Sequence, residues 1–158
     1  MTSRVDYSRI EPEGYRILVN LNRFVKNCGL EGSLLELVKI RASQINGCAY
    51  CIDMHTKDAR LAGESEQRIY ALNAWAETPF YTERERAALS WTEAITLIGE
   101  SHVPDELYES ARQQFSEKEL VDLTFAVILI NSWNRLAIAF RSEPGTYQPH
   151  KTEMVQER

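Results

Sequence analysis

Little in this 158-residue chain alternates as a β-strand does, and that scarcity argues against a sheet fold before any motif is considered. No block of lysine and arginine stands out and the formal net charge is −5, so neither nucleic acid nor an anionic membrane is an expected partner. The opening stretch, MTSRVDYSRIEPEG, has no apolar core and does not read as a secretory signal. A membrane span is not expected either. The longest apolar run, LVDLTFAVILINSWNRLAIAF, carries Asp122, Asn131, Asn134 and Arg135, which suits a core or interface helix better. Cysteine is scarce, at three residues. Without a signal, they point to a reducing, cytoplasmic setting, where structural disulfides are rare and a close pair is more often catalytic or metal-binding.

What remains is a chain of ordinary composition and single-domain length, read as one unit over 1–158 with a core of about 13–142, a polar N-terminal arm and a C-terminal tail. Its pattern is helical nearly throughout. YRILVNLNRFVKN puts Ile17, Leu18, Leu21, Phe24 and Val25 on one face before Gly29. GSLLELVKIRASQI spaces Leu34, Leu37, Val38, Arg41 and Ile45 along another, and Asn46-Gly47 stops it. A third helix is expected from about Cys48 to Ala62-Gly63. Capping boxes mark later starts at Thr82/Glu85 and Ser116/Glu119, with a fainter echo at Ser33/Glu36. Pro144-Gly145 is expected to close the last helix, leaving TYQPHKTEMVQER as a tail. The fold class is therefore all-α, a compact helical bundle in which a helix hairpin carries a Cys-x-x-Cys pair.

That pair lies in NGCAYCIDMH, residues 46–55. On a helix, Cys48, Cys51, Ile52, His55, Ala59 and Ala62 share a face, with Asp53, Lys57, Arg60 and Glu64 elsewhere. Burial on that face raises a thiol pKa. The amides and positive dipole of a first helical turn, a neighbouring thiol donor and His55 all favour the thiolate. The pair can close into a disulfide only if Cys48 sits at the irregular N-terminal edge, because Cβ atoms three apart in a regular helix are about 5–6 Å apart and a disulfide needs about 3.5–4.5 Å. Three readings stand beside one another: redox catalysis, a buried packing pair, or a zinc site completed by Cys28 or His102. A thioredoxin-type site is set aside because no βαβ pattern surrounds the pair.

Glu36, then Cys48-Ala-Tyr-Cys51, then His55 and Gly63, together with the late stretch INSWNRLAIAFR, resemble the signature of the carboxymuconolactone decarboxylase superfamily in its AhpD-like alkylhydroperoxidase branch. The resemblance covers roughly residues 13–142. It implies an all-α fold, assembly into trimers or hexamers, and a peroxidase whose substrate is an organic peroxide or hydrogen peroxide. No bound cofactor or metal is implied; electrons come from an external dithiol or redox protein. Carried over by position, Cys51 attacks the peroxide and Cys48 resolves the sulfenic acid, while Glu36 and His55 relay protons. Tyr50 departs from the pattern, since well-known members have histidine there, and a phenol titrating near 10 is no base at neutral pH.

Other residues carry lesser expectations. Glu36 has a competing structural role, capping a helix with Ser33. Asn131, Asn134 and Arg135 share a face and read as a structural or interface network, because polar groups in an apolar helix need partners. His102 and His150 read as surface residues, and Cys28 as a half-buried thiol. Two other functions compete: a lactone-cleaving decarboxylase gripping a polycarboxylate through Arg41 or Arg135, and a non-enzymatic redox sensor or binding oligomer.

Overall fold

Capping chemistry sets where most of the helices begin. The computed structural model describes residues 2–149, and no strand forms among them. The helices run α1 Tyr7–Ile10, α2 Pro12–Lys26, α3 Gly32–Asn46, α4 Ala49–Leu61, α5 Glu66–Ala71, α6 Glu83–Thr96, α7 Ile98–Ser101, α8 Asp105–Arg112 and α9 Glu117–Phe140, with a 3-10 segment at Leu72–Glu77. Both strong capping boxes form as read: Thr82 with Glu85 opens α6, and Ser116 with Glu119 opens α9. Each box glutamate is also held by an arginine. Arg68 Nη2 donates to Glu85 at 2.6 Å and Arg84 Nη2 to Glu119 at 2.7 Å.

The third, fainter box does not form. Helix α3 starts at Gly32 with Glu31 as its N-cap, so Ser33 already lies inside the helix and makes no side-chain cap. Glu36 is thereby released for other partners. The end of α9 also differs from expectation. It stops at Phe140 because Arg141 turns left-handed at φ 56°, and Pro144-Gly145 follows as a separate turn.

Helix α3 is the hub, packed against α4, α6 and α9. One side of it supplies Leu34, Leu35 and Val38 to the largest core, together with Trp91 of α6, Phe115, and Leu123 and Val127 of α9. The opposite side supplies Leu37 and Ile40 to a second core with Leu72 and Leu89. Burying each such side chain stabilises the fold by about 1.5–3 kcal/mol. Helix α2 contributes less than its pattern implied. Val25 is buried, but Ile17 stays 67% exposed and Phe24 47%, Phe24 packing edge-on with Phe125 of α9. As a peripheral helix it has few surfaces to bury against.

Helix α9 is the one helix among the described residues long and apolar enough to cross a bilayer by length and composition. Its inner face, Leu120, Leu123, Val127, Ile130, Asn134 and Ala137, follows the 3-4 spacing of a core stripe. The polar residues in that stripe are satisfied, as the sequence required. Asn134 is fully buried; its Oδ1 accepts from Asn46 at 2.9 Å and its Nδ2 donates to Ser43 Oγ at 3.0 Å. Asn131 accepts from Asn46 and Arg135 and donates to Thr96. Cys28 is half-buried against the main core, and His102 is an exposed left-handed residue after α7. His150 lies outside the described residues.

Removing the Asn134 amide leaves Asn46 and Ser43 without their shared partner. Asn134→Leu is expected to destabilise the protein by about 1–3 kcal/mol. The midpoint of urea unfolding checks this; an unchanged midpoint would mean that the network contributes nothing.

Candidate active site

The turn between α3 and α4 builds the site. Gly47 takes a left-handed conformation (φ 69°, ψ 31°), and the Cys48 N–H returns to the Ser43 carbonyl at 3.0 Å. Glycine is suited to this position because it meets no Cβ penalty there. The reversal leaves Cys48 extended (φ −84°, ψ 93°) as the N-cap of α4, with its sulfur accepting the Cys51 N–H at 3.3 Å. This is the irregular edge that closure demands. The Cα atoms lie 5.4 Å apart and the two sulfurs are joined in a disulfide.

The pair is surrounded by the apolar neighbours Ala42, Ile130 and Ala137, with Tyr50 packed alongside. Cys48 is 1% exposed, Cys51 2% and His55 7%. The expected apolar face of α4 holds from Cys48 to Ala59 and ends there, since Ala62 is exposed.

Glu36, 19 residues before His55, is brought beside it by the α3–α4 hairpin. The distance from Glu36 Oε2 to His55 Nδ1 is 2.9 Å, and Lys39 Nζ donates to Glu36 Oε1 at 2.7 Å. Burial opposes ionisation of this carboxyl, but the His55 hydrogen bond and the Lys39 charge outweigh it and hold its pKa down at about 2. An ionised Glu36 is only an acceptor, so Nδ1 is the donor, and in a neutral imidazole Nε2 is then left unprotonated. Tyr50 is no substitute base, because burial pushes its phenol pKa up.

Beside Cys51 and His55 lies a cavity of about 220 Å³, which Tyr50 and Lys39 also line. On another side, the chain after α9 crosses α4. Gly145 N–H donates to Asp53, Lys57 to the Tyr147 carbonyl, and Tyr147 OH to Asp58 at 2.8 Å. At least the start of the expected tail is thus packed on its own chain. Donor atoms of Glu36, His55 and Asp58 lie within 4.8 Å of one another, a set able to hold a cation. In this arrangement Lys39 and Tyr147 already engage its carboxylates.

Sequence reasoning missed Lys39, although its i, i+3 spacing from Glu36 was available, and also Asp58 and Tyr147, whose meeting depends on the path of the chain after α9. Other candidates are spent elsewhere. Arg41 donates to Glu93 at 2.8 Å, and Arg135 is exposed and bonded to Asn131; neither lines the cavity.

Residues 12–94 match the carboxymuconolactone decarboxylase family, and the chain belongs to that family, in its AhpD-like branch. It is 51% identical over 139 residues to YdfG of Bacillus subtilis, an uncharacterized protein, covering 88% of this chain and 95% of that one. A crystal structure from Agrobacterium tumefaciens superposes with a TM-score of 0.89 at 44% identity, covering 92% of this chain and all of that one. Its description is of a protein of unknown function and proposes an antioxidant defence role as AhpD. The alkylhydroperoxidase AhpD core of an uncharacterized peroxidase-related protein from Ralstonia eutropha shares the fold, with a TM-score of 0.76 at 20% identity over 88% of this chain and 74% of that one. Together with the family, the neighbour at 44% identity supports a peroxidase-related, oxidoreductase-type role.

Because Glu36 has a folded pKa of about 2 against an ordinary 4.5, its contribution to stability is present above about pH 4.5 and disappears as pH falls through 2. Glu36→Gln is expected to flatten the dependence of unfolding free energy on pH across that window, as measured by denaturant titration at each pH. Identical slopes in both proteins would refute the assignment.

Proposed function

We propose that this protein is a thiol-dependent hydroperoxide reductase in which Cys51 attacks the peroxide, Cys48 resolves the product, and Glu36 and His55 move the protons. The observation that carries the reading is Cys51 lining a cavity beside an imidazole whose Nδ1 faces an ionised carboxylate. An external dithiol first reduces the disulfide, delivering two electrons and two protons. His55 Nε2 takes the Cys51 proton. The thiolate then attacks the terminal oxygen of ROOH, the O–O bond breaks, and the electron pair leaves on RO⁻, which accepts the proton and departs as ROH. Cys48 displaces the hydroxyl of the Cys51 sulfenic acid as water, restoring the disulfide.

The two sulfurs stand in different surroundings that suit these roles. Cys51 lines the cavity, whereas the Cys48 sulfur accepts a first-turn amide. The electron donor is a small dithiol or a redox protein. Trimeric or hexameric assembly belongs to the same proposal. It is supported by the apolar strip Val121, Phe125 and Ile128 left on the outer face of α9.

Cys51→Ser is expected to abolish dithiol-dependent peroxide consumption. Cys48→Ser should consume one equivalent and stop as a sulfenic acid that dimedone traps at Cys51, read by mass spectrometry of the labelled peptide. Full turnover by Cys51→Ser would end this reading.

A further inference from the structure

The cavity beside Cys51 is built to hold something larger than a peroxide group. Tyr7, Tyr15, Val19 and Trp133 line it together with Cys51 and His55. Three elements supply the aromatic part: Tyr7 from α1, Tyr15 from α2 and Trp133 from α9. Tyr15 meets Trp133 edge-on at 5.6 Å, and Tyr7 lies 6.3 Å from Tyr15 and 5.7 Å from Phe140. The arm carrying Tyr7 is held just before that residue. Asp6 caps α1, and Arg4 N–H donates to the Phe140 carbonyl at 2.9 Å. The wall is therefore assembled by the N-terminal arm folding back onto the end of α9.

Composition and size together select a ligand. An apolar cavity of about 150 Å³ takes benzene, so a cavity of about 220 Å³ suits one ring with a short branched alkyl group. Aromatic walls favour a ring through edge-to-face contacts beyond what burial alone gives. Hydrogen peroxide would leave those walls unused, and a linear acyl chain offers them no ring for edge-to-face contact. We infer that the cavity selects a single-ring aryl-alkyl hydroperoxide, its ring against Tyr15 and Trp133 and its –OOH group against Cys51 and His55. This rests on the peroxidase reading, and the oxygen transfer is the one already written, with R as the aryl-alkyl group and the aryl alcohol as product.

Two measurements on the intact protein separate the cavity from the chemistry. The first is calorimetric binding of 2-phenylpropan-2-ol, the alcohol product of cumene hydroperoxide, with tert-butanol as the ring-free control. The second is the kcat/KM ratio for cumene hydroperoxide over hydrogen peroxide. Saturable binding of the aryl alcohol alone, with a ratio above about ten, is the expected result. Val19→Trp fills the cavity and should abolish alcohol binding and lower the ratio about tenfold or more. Tyr15→Ala, at a position already 38% exposed and so less liable to disturb folding, should weaken aryl binding and raise turnover of a long-chain lipid hydroperoxide relative to cumene hydroperoxide. Absence of aryl-alcohol binding, or a ratio near one that neither variant moves, overturns the inference while leaving the peroxidase reading intact. Aryl-alcohol binding without consumption of any peroxide keeps the ring site and overturns both the reductase and the assignment of a hydroperoxide as its ligand.

Discussion

Everything at the site hangs on one reversal of the chain, at Asn46-Gly47. Asn46 is tied to Asn131 and Asn134 of α9 by its side-chain amide, so the end of α3 is fixed to the longest helix in the fold. Gly47 then turns left-handed, and the next residue, Cys48, can be neither helical nor free: it is the extended N-cap of α4. Had α3 continued unbroken into α4, both cysteines would lie in regular helix, with Cβ atoms about 5–6 Å apart. The polar stripe of α9, a liability in an apolar helix, is the means by which the bundle holds that turn in register.

The second constraint is electrostatic. A carboxylate as enclosed as Glu36 is unfavourable alone, and beside a thiolate it would oppose ionisation. Lys39 resolves both problems by neutralising one oxygen while His55 takes the other. Burial raises the carboxyl pKa, the two partners lower it, and the partners win. A charged acceptor facing Nδ1 then fixes the imidazole tautomer. Asp58 stands nearby with its own donor, Tyr147, so neither carboxylate is left without a partner.

How much of this was legible follows from the range of each interaction. Local chemistry was readable: the capping boxes at Thr82 and Ser116, the stop at Asn46-Gly47 and the Cys48–Ala59 face all depend on residues within a few positions. So was the polar network of α9, because an amide inside an apolar stripe must find a partner. The Ser33/Glu36 box failed because the motif is necessary but not sufficient; the backbone entered helix earlier, at Gly32, and the carboxylate found a charged partner and an imidazole instead. Patterns on α2 misled because periodicity marks an apolar face without stating whether anything covers it. Tyr7, Tyr15, Trp133 and Tyr147 were invisible as site residues. They converge only through packing between elements far apart in sequence.

The asymmetry between the two sulfurs bears on the reductive half of the proposed cycle, when a donor dithiol would open the disulfide. Attack on a disulfide proceeds faster when the departing sulfur is the better-stabilised thiolate. The Cys48 sulfur accepts the Cys51 amide at the positive end of α4, so negative charge is better accommodated there. Cys51 lies on the cavity wall and is the sulfur within reach of an entering molecule. A donor that engages Cys51 and expels Cys48 would therefore use the same entrance as the peroxide. Under the proposed peroxidase function, peroxide and donor would then compete for Cys51.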